Sequence, residues 1–263
     1  MKIGFIFGNG TLPELLLERH PNSVCALIQS SPANINSSQV FENFHITQIR
    51  DIFIFFNKHN VTHICFAGGV QKPKISLKIL NFQTLSLVIH LLLLPNKGDN
   101  FLLNAITSLV KRKGFEVISA TQLMPELLVK SGILTKQKPT QSQIQSINLG
   151  KNFLEDVSKY DISQACIVEN SCITALEGIE GTQAMILRMK EFNKNDAILV
   201  KMPKVGQNLK VDMPTIGIET VKDCIACGIC GIVIKAESTI FLNQNEAISL
   251  ANESGIFILS VVK

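Results

Sequence analysis

Tryptophan is absent from this chain of 263 residues and tyrosine occurs once, so fifteen phenylalanines supply nearly all the aromatic content. That composition offers no base-stacking platform for single-stranded nucleic acid. Charge is scarce as well. Asp, Glu, Lys and Arg make up 17% of the residues, against about 25% in an average globular domain. The 25 basic and 21 acidic side chains leave a net +4 with no long Lys/Arg run, which argues against a nucleic-acid partner. Long apolar runs are missing too. The most lipid-like stretch, Leu85–Leu94, has ten residues where a membrane span needs ~20; it contains His90, stops at Pro95, and reads as a buried or lipid-contacting helix. Met1-Lys2 leads straight into Ile3–Phe7 without a small-residue cleavage site, so no signal peptide is read. The five histidines all precede Leu91, and neither a G-x-S-x-G elbow nor a paired zinc motif occurs, which removes support for Ser/His triads and zinc sites. Seven cysteines, an odd number, fit a reducing compartment better than a disulfide framework.

What the chain does have is 46% hydrophobic residues, arranged as short apolar runs alternating with helical patterns, the signature of α/β layering. Strands are expected at Lys2–Phe7, Val24–Ile28, Ile64–Ala67 and Phe115–Ser119, with helices opening at Thr11, through Ile49–Lys58, at 83–94 and over 98–113. Thr11-Leu-Pro-Glu14 has the spacing of a capping box. The polar, Pro-terminated GILTKQKP at 132–139 reads as a linker. The chain therefore divides into two α/β domains, 1–131 and 132–263, joined at about 130–139. In the second, Thr140 opens a long helix with capping-box spacing to Gln143. Further strands are expected at Ala165–Glu169, Ile173–Leu176, Ala197–Met202, Gly231–Ile234, Ile240–Leu242 and Phe257–Val261, and helices at 182–191, 218–227 and 245–253.

Gly8-Asn9-Gly10-Thr11 leaves a strand and opens a helix, where backbone N–H groups can cradle a phosphate or sugar. A plain tight turn explains the same residues, and Pro13 stands where a dinucleotide fingerprint needs its third glycine. Cys224-Ile-Ala-Cys227-Gly-Ile-Cys230 matches the start of an iron–sulfur run, but no cysteine follows to complete it. On a helix the three would form a packed stripe, with cysteine acting as a small hydrophobe. Cys25, Cys65, Cys166 and Cys172, in or beside strands, read as core as well.

The segments that resist such explanations are Glu177-Gly-Ile-Glu180-Gly-Thr182, leaving a strand and entering a helix, and the polar stretch from Lys201 to Gly217. Lys201, Lys204, Gln207, Asn208, Lys210 and Asp212 fall within twelve residues. Lysines suit phosphate oxygens as point charges. An Asp among three of them is held ionised, which makes it a poor general base at neutral pH but a good metal ligand or water orienter. Asp99-Asn100 stand at a helix start, where a carboxylate caps the end or holds a cation. Taken singly, each carboxylate reads as a cap or a surface pair. Taken together with the lysines and glycine turns, they describe a divalent-metal, phosphate-ester or pyrophosphate site.

The stretches GNGTLP (8–13), AGGVQKP (67–73), GDNFLLNAI (98–106), GILTKQKPT (132–140), DISQACIVE (161–169), ALEGIEGTQAM (175–185) and LVKMPKVGQNLKVDMPTIG (199–217) run from one end of the chain to the other. In content and order they resemble the LpxI family. The resemblance implies an N-terminal Rossmann-like α/β domain and a distinct C-terminal catalytic α/β domain. It also implies hydrolysis of UDP-2,3-diacylglucosamine to UMP and 2,3-diacylglucosamine 1-phosphate (lipid X) in lipid A biosynthesis, with Mg²⁺ or another divalent cation such as Mn²⁺, and water attacking the sugar-side phosphorus. The family's essential Asp falls on Asp212. On that footing Asp212, Lys201 and Lys204 are the expected catalytic groups, and Asp212 with Glu177 or Glu180 the expected cation ligands. Gly8, Asn9, Gly10, Thr11, Asp99, Asn100, Thr182, Gln207, Lys210 and Thr215 are the expected substrate contacts. UDP and sugar would lie between the domains, and the 83–94 helix would meet the acyl chains. A cytoplasmic protein touching the inner membrane of a Gram-negative bacterium transiently is implied, with a homodimer left open.

The chain departs from the family pattern at three places. Gln207-Asn208-Leu209-Lys210 stands where relatives commonly read Q-D-x-R, Gln183 where Asp is usual, and Gly69 where a larger residue is typical. Two carboxylates are thereby lost, which keeps a non-catalytic nucleotide-sugar-binding protein as one rival and an iron–sulfur protein on Cys224, Cys227 and Cys230 as another.

Overall fold

In the N-terminal half the apolar runs pair side by side as parallel strands. The computed structural model describes residues 1–28, 39–70, 99–192 and 196–262, and the chain divides into two units, Met1–Pro125 and Glu126–Lys263. The first unit holds β1 (Ile3–Phe7), β2 (Val24–Ile28), β3 (Val40–Phe44), β4 (His63–Ala67) and β5 (Glu116–Val117), with helices α1 (Thr11–Arg19), α2 (Ile49–Lys58), α3 (Asp99–Arg112) and α4 (Ala120–Leu123). The sheet order is β3-β2-β1-β4-β5 with every pairing parallel, the order of a doubly wound sheet. Parallel strands need cover on both faces, and β2 is buried along its whole length. Helix α2 supplies Ile52, Phe53, Phe55 and Phe56 to that core.

One expectation is corrected and one strand is added. Thr11 is the first residue inside α1 rather than its cap: Gly10, at φ +121°, occupies the cap position and no side chain bonds the helix end. Strand β3 has no counterpart in the sequence reading, because only Phe44 of its five residues is buried and VFENF shows no alternation. The expected 83–94 helix lies outside the described residues.

The second unit contains β6 (Gly132–Ile133), α5 (Gln141–Ser158), β7 (Ala165–Glu169), β8 (Cys172–Leu176), α6 (Gly181–Arg188), β9 (Ile198–Lys201) and β10 (Thr215–Ile216). It continues with α7 (Ile218–Ala226), β11 (Gly231–Lys235), β12 (Ile240–Phe241), α8 (Gln244–Glu253) and β13 (Phe257–Val261). Its main sheet runs β6-β13-β11-β9-β7-β8, parallel from β13 through β9 and antiparallel at both flanks. Side chains alternate across it with the strand period of two. Leu199 and Ile232 pack with Met185, Val221 and Ala247 from α6, α7 and α8, whereas Ile198, Val200 and Val233 pack with Ile147 and Leu154 from α5. The expected cap on α5 is present, with Thr140 and Gln143 bonded reciprocally.

The segment read as a linker at 130–139 is part of this unit. Gly132 and Ile133 pair with Ser260 and Leu259, and Leu134 N–H donates to the Ile258 carbonyl at 2.9 Å. The Thr135 hydroxyl accepts from Ile258 N–H at 2.9 Å. Its polarity belongs to an exposed sheet edge, not to a tether.

Candidate active site at the carboxyl end of the C-terminal sheet

Strand pairing brings distant residues together. Ala165 lies opposite Lys201 and Cys166 opposite Leu176. Gln164 before β7, Glu177 after β8 and Lys201 at the end of β9 therefore meet at one end of the sheet. It is the carboxyl end of the parallel strands, where open α/β sheets bind ligands. Glu177 N–H donates to the Ala165 carbonyl at 3.0 Å and Met202 N–H to the Gln164 carbonyl at 2.8 Å, continuing the ladder to the last residue.

Glu177 and Lys201 are 7% and 6% exposed, and burying such charges is costly unless they are paired and hydrogen-bonded. Lys201 Nζ donates to Thr182 Oγ1 at 2.9 Å. The Thr182 hydroxyl donates to Glu177 Oε1 at 2.6 Å, and Gln164 N–H donates to Glu177 Oε2 at 3.2 Å. Burial pushes the Lys201 pKa below its ordinary value, while the negative charges of Glu177 and Asp212 oppose that fall.

Asp212 reaches the same end from a turn. Its own N–H donates to the Asn208 carbonyl at 3.0 Å, and its Oδ2 accepts from Gln207 Nε2 at 2.6 Å. Gln207 is held from its other end by Lys204 N–H, which donates to Oε1 at 2.8 Å. The Lys204 ammonium faces elsewhere, bonded to Asp161 Oδ1 at 2.6 Å and to the Asp161 carbonyl at 3.1 Å. Lys210 is exposed, and Thr215 turns its hydroxyl back to the Met213 carbonyl at 3.1 Å. A cavity of about 380 Å³ opens beside Gln207 on the α5 side of the sheet, with Lys151, Lys204, Lys235 and Ser238 on its wall.

Two departures from the family pattern acquire a local account. Asn208 Oδ1 accepts from Lys210 N–H at 3.2 Å, a turn-forming bond that Asn makes as well as Asp. Gln183 Nε2 donates to Asp223 Oδ2 at 3.0 Å, where an Asp would face a like charge. Gly69 has open space where a side chain would stand.

A divalent cation of the Mg²⁺ type takes one or two carboxylates and completes its shell with water and substrate phosphates. Asp212 meets that minimum. Both oxygens of Glu177 accept from protein donors, and Glu180 stands 3.3 Å from Arg188. Among the described residues no three His, Cys, Asp or Glu side chains gather into a cation cage.

In the N-terminal unit the 8–13 turn is locked to the glycine turn after β4. Gly8 N–H donates to the Ala67 carbonyl at 2.9 Å, and Asn9 and Gly69 exchange backbone bonds at 2.8 Å. A Cβ on Gly8 would stand 2.4 Å from the Gly69 oxygen, so the close approach requires glycine there. The amides of Gly8 and Asn9, expected to face a phosphate, therefore bond the backbone; Asn9, Gly10 and Thr11 are exposed. Asp99 and Asn100 begin α3 as expected, and their side chains lie outside the described residues.

The cysteine stripe is corrected. Helix α7 ends at Ala226 and Gly228, at φ +67°, turns the chain. Cys224 and Cys227 sit in the core under α7, while Cys230 packs against the opposite core and its thiol donates to the Ala197 carbonyl at 3.2 Å. Cys172, read as core, is exposed.

Sequence reasoning missed Gln164 and Asp161. Both stand in the DISQACIVE stretch, whose match to the family was the available signal. Family models for the LpxI N-terminal domain and the LpxI C-terminal domain match residues 2–127 and 130–259. The chain is 27% identical to the UDP-2,3-diacylglucosamine pyrophosphatase LpxI of Caulobacter vibrioides, over 99% of this chain and 97% of that protein. With the models of both domains matched in order over nearly the whole length, the chain belongs to the LpxI family.

Proposed function

We propose that the chain hydrolyses UDP-2,3-diacylglucosamine, with water adding to the sugar-side phosphorus and the bridging P–O bond breaking to release UMP and lipid X. The observation that supports this most is the convergence of Lys201, Thr182, Glu177, Gln207 and Asp212, from separate family motifs, at the ligand-binding end of one sheet. The substrate's identity comes from the Caulobacter relative.

Asp212, oriented by Gln207, would direct the attacking water and, with the pyrophosphate's own oxygens, hold a divalent cation such as Mg²⁺ or Mn²⁺. Such a cation, when bound, polarises phosphoryl oxygens. Lys201, fixed in a site of low dielectric, meets the charge that develops on the phosphoryl group. The cavity beside Gln207 has a size suited to a small ligand, and Lys151 and Lys235 on its wall, with Glu155 beside them, offer ammonium groups to the nucleotide phosphate. Lys204, anchored on Asp161, shapes that wall. No helix among the described residues is long and apolar enough to cross a membrane, and on this reading the lipid is met at the cytoplasmic face of the inner membrane.

The test is UMP release from diacylated and non-acylated UDP-sugars, each with and without chelator. Release from the diacylated sugar alone, abolished by chelator, is expected. Binding of the sugar without any release would favour the non-catalytic rival and overturn the proposal.

A further inference from the structure

A lysine is a flexible four-carbon stem ending in an ammonium with three donors. Buried at the end of β9, Lys201 needs something to aim it. The Thr182 hydroxyl has one proton, and it goes to Glu177 Oε1 at 2.6 Å. The Thr182 oxygen is thus left with lone pairs only, and it accepts from the Lys201 ammonium at 2.9 Å. Glu177 is fixed in turn, because its second oxygen takes the Gln164 amide. Thr182 itself is stiff at χ1 and stands in the first turn of α6, so the peg is rigid.

We infer that Thr182 and Glu177 are positioning residues: the hydroxyl fixes the Lys201 ammonium, and the buried carboxylate fixes the hydroxyl. This rests on the reading of Lys201 as the group that meets the pyrophosphate charge. Neither residue needs to touch substrate or cation. Without the hydroxyl, the ammonium and the Glu177 carboxylate are free to close on each other and draw Lys201 away from its aim.

The experiment compares Thr182→Val, which keeps the shape and removes the hydroxyl, with Thr182→Ser, which keeps the hydroxyl. In Thr182→Val, kcat is expected to fall on the order of tenfold to a hundredfold, the effect of losing a hydrogen bond to a charged group. KM should stay within about twofold, and Thr182→Ser should retain most of the rate, since its bond is intact. Nitrogen-labelled lysine gives a readout that does not depend on turnover: the Lys201 ammonium signal shifts in Thr182→Val and stays in Thr182→Ser. Mn²⁺ affinity, measured by calorimetry, should be unchanged in Glu177→Gln. Equal losses in the Val and Ser variants, a rise in KM alone, an unmoved Lys201 signal, or a Mn²⁺ affinity weakened in Glu177→Gln would each overturn the inference. A wild-type protein that releases no UMP while its Lys201 signal behaves as expected would instead overturn the functional reading and leave the positioning intact.

Discussion

Gln207 donates its side-chain amide to Asp212 Oδ2 at 2.6 Å while accepting the Lys204 backbone N–H at 2.8 Å. The glutamine thus ties the Asp212 carboxylate to the chain leaving β9. Truncating it to alanine removes this donor from Asp212. Gln207→Ala is expected to lower kcat by roughly tenfold, the scale of one charge-assisted bond, while substrate binding measured by calorimetry changes little. An unchanged kcat would show that the orientation is irrelevant to turnover.

The cavity beside Gln207 places Lys151 and Lys235 on a common wall. If the nucleotide phosphate sits there, reversing one charge raises KM more than it lowers kcat, because the contact is made equally in ground and transition states. Lys235→Glu should show that split, and the penalty should shrink with added salt. A fall in kcat at constant KM would place the nucleotide elsewhere.

Helix α5 lies so close to the sheet that Gly150 has no room for a side chain. A Cβ there would stand 2.7 Å from Val168 Cγ2 and 2.9 Å from Val200 Cγ2. In an exposed helix, glycine to alanine gains about 1 kcal/mol. Here overpacking costs ~1–3 kcal/mol and should prevail, so Gly150→Ala is expected to lower the urea midpoint. A raised midpoint would mean the helix shifts at no cost.

Buried thiols make stability depend on alkaline pH. Burial raises Cys25 from 9.0 to about 11, and Cys65 and Cys166 to about 12. Their folded values exceed their unfolded ones, so the native state binds more protons above pH ~9 and stability falls as pH rises. Each thiol contributes up to ~1.4 kcal/mol per pH unit. Lys201, whose pKa is lowered, acts with the opposite sign but is one group against five thiols, since Cys224 and Cys230 are raised as well. In reductant, the urea midpoint should decline from about pH 9 to about pH 11, and less steeply in Cys65→Ala. Parallel pH profiles for the two proteins would contradict this.

Much of the fold was legible where burial follows periodicity. The apolar runs of β1, β2, β7 and β13 and the Thr140–Gln143 box on α5 could be read directly. Strand β3 could not, since four of its five residues are exposed, and β6 could not, since a polar edge strand looks like a linker. At the site, Glu177, Thr182, Lys201 and Asp212 stood out by residue type, but their connections depend on β7 pairing antiparallel with both β8 and β9. No local pattern encodes that register. It is also why Gln164 went unnoticed and why the partners of the two Glu177 oxygens could not be foreseen: they lie on elements remote in sequence or past a glycine turn.

The most direct test incubates the purified chain with UDP-2,3-diacylglucosamine and Mg²⁺, beside its Asp212→Asn variant, and quantifies UMP and lipid X. The account predicts equimolar products from the wild type and none from the variant, which should still bind the substrate. Full turnover by Asp212→Asn, or no UMP from the wild type, would contradict it.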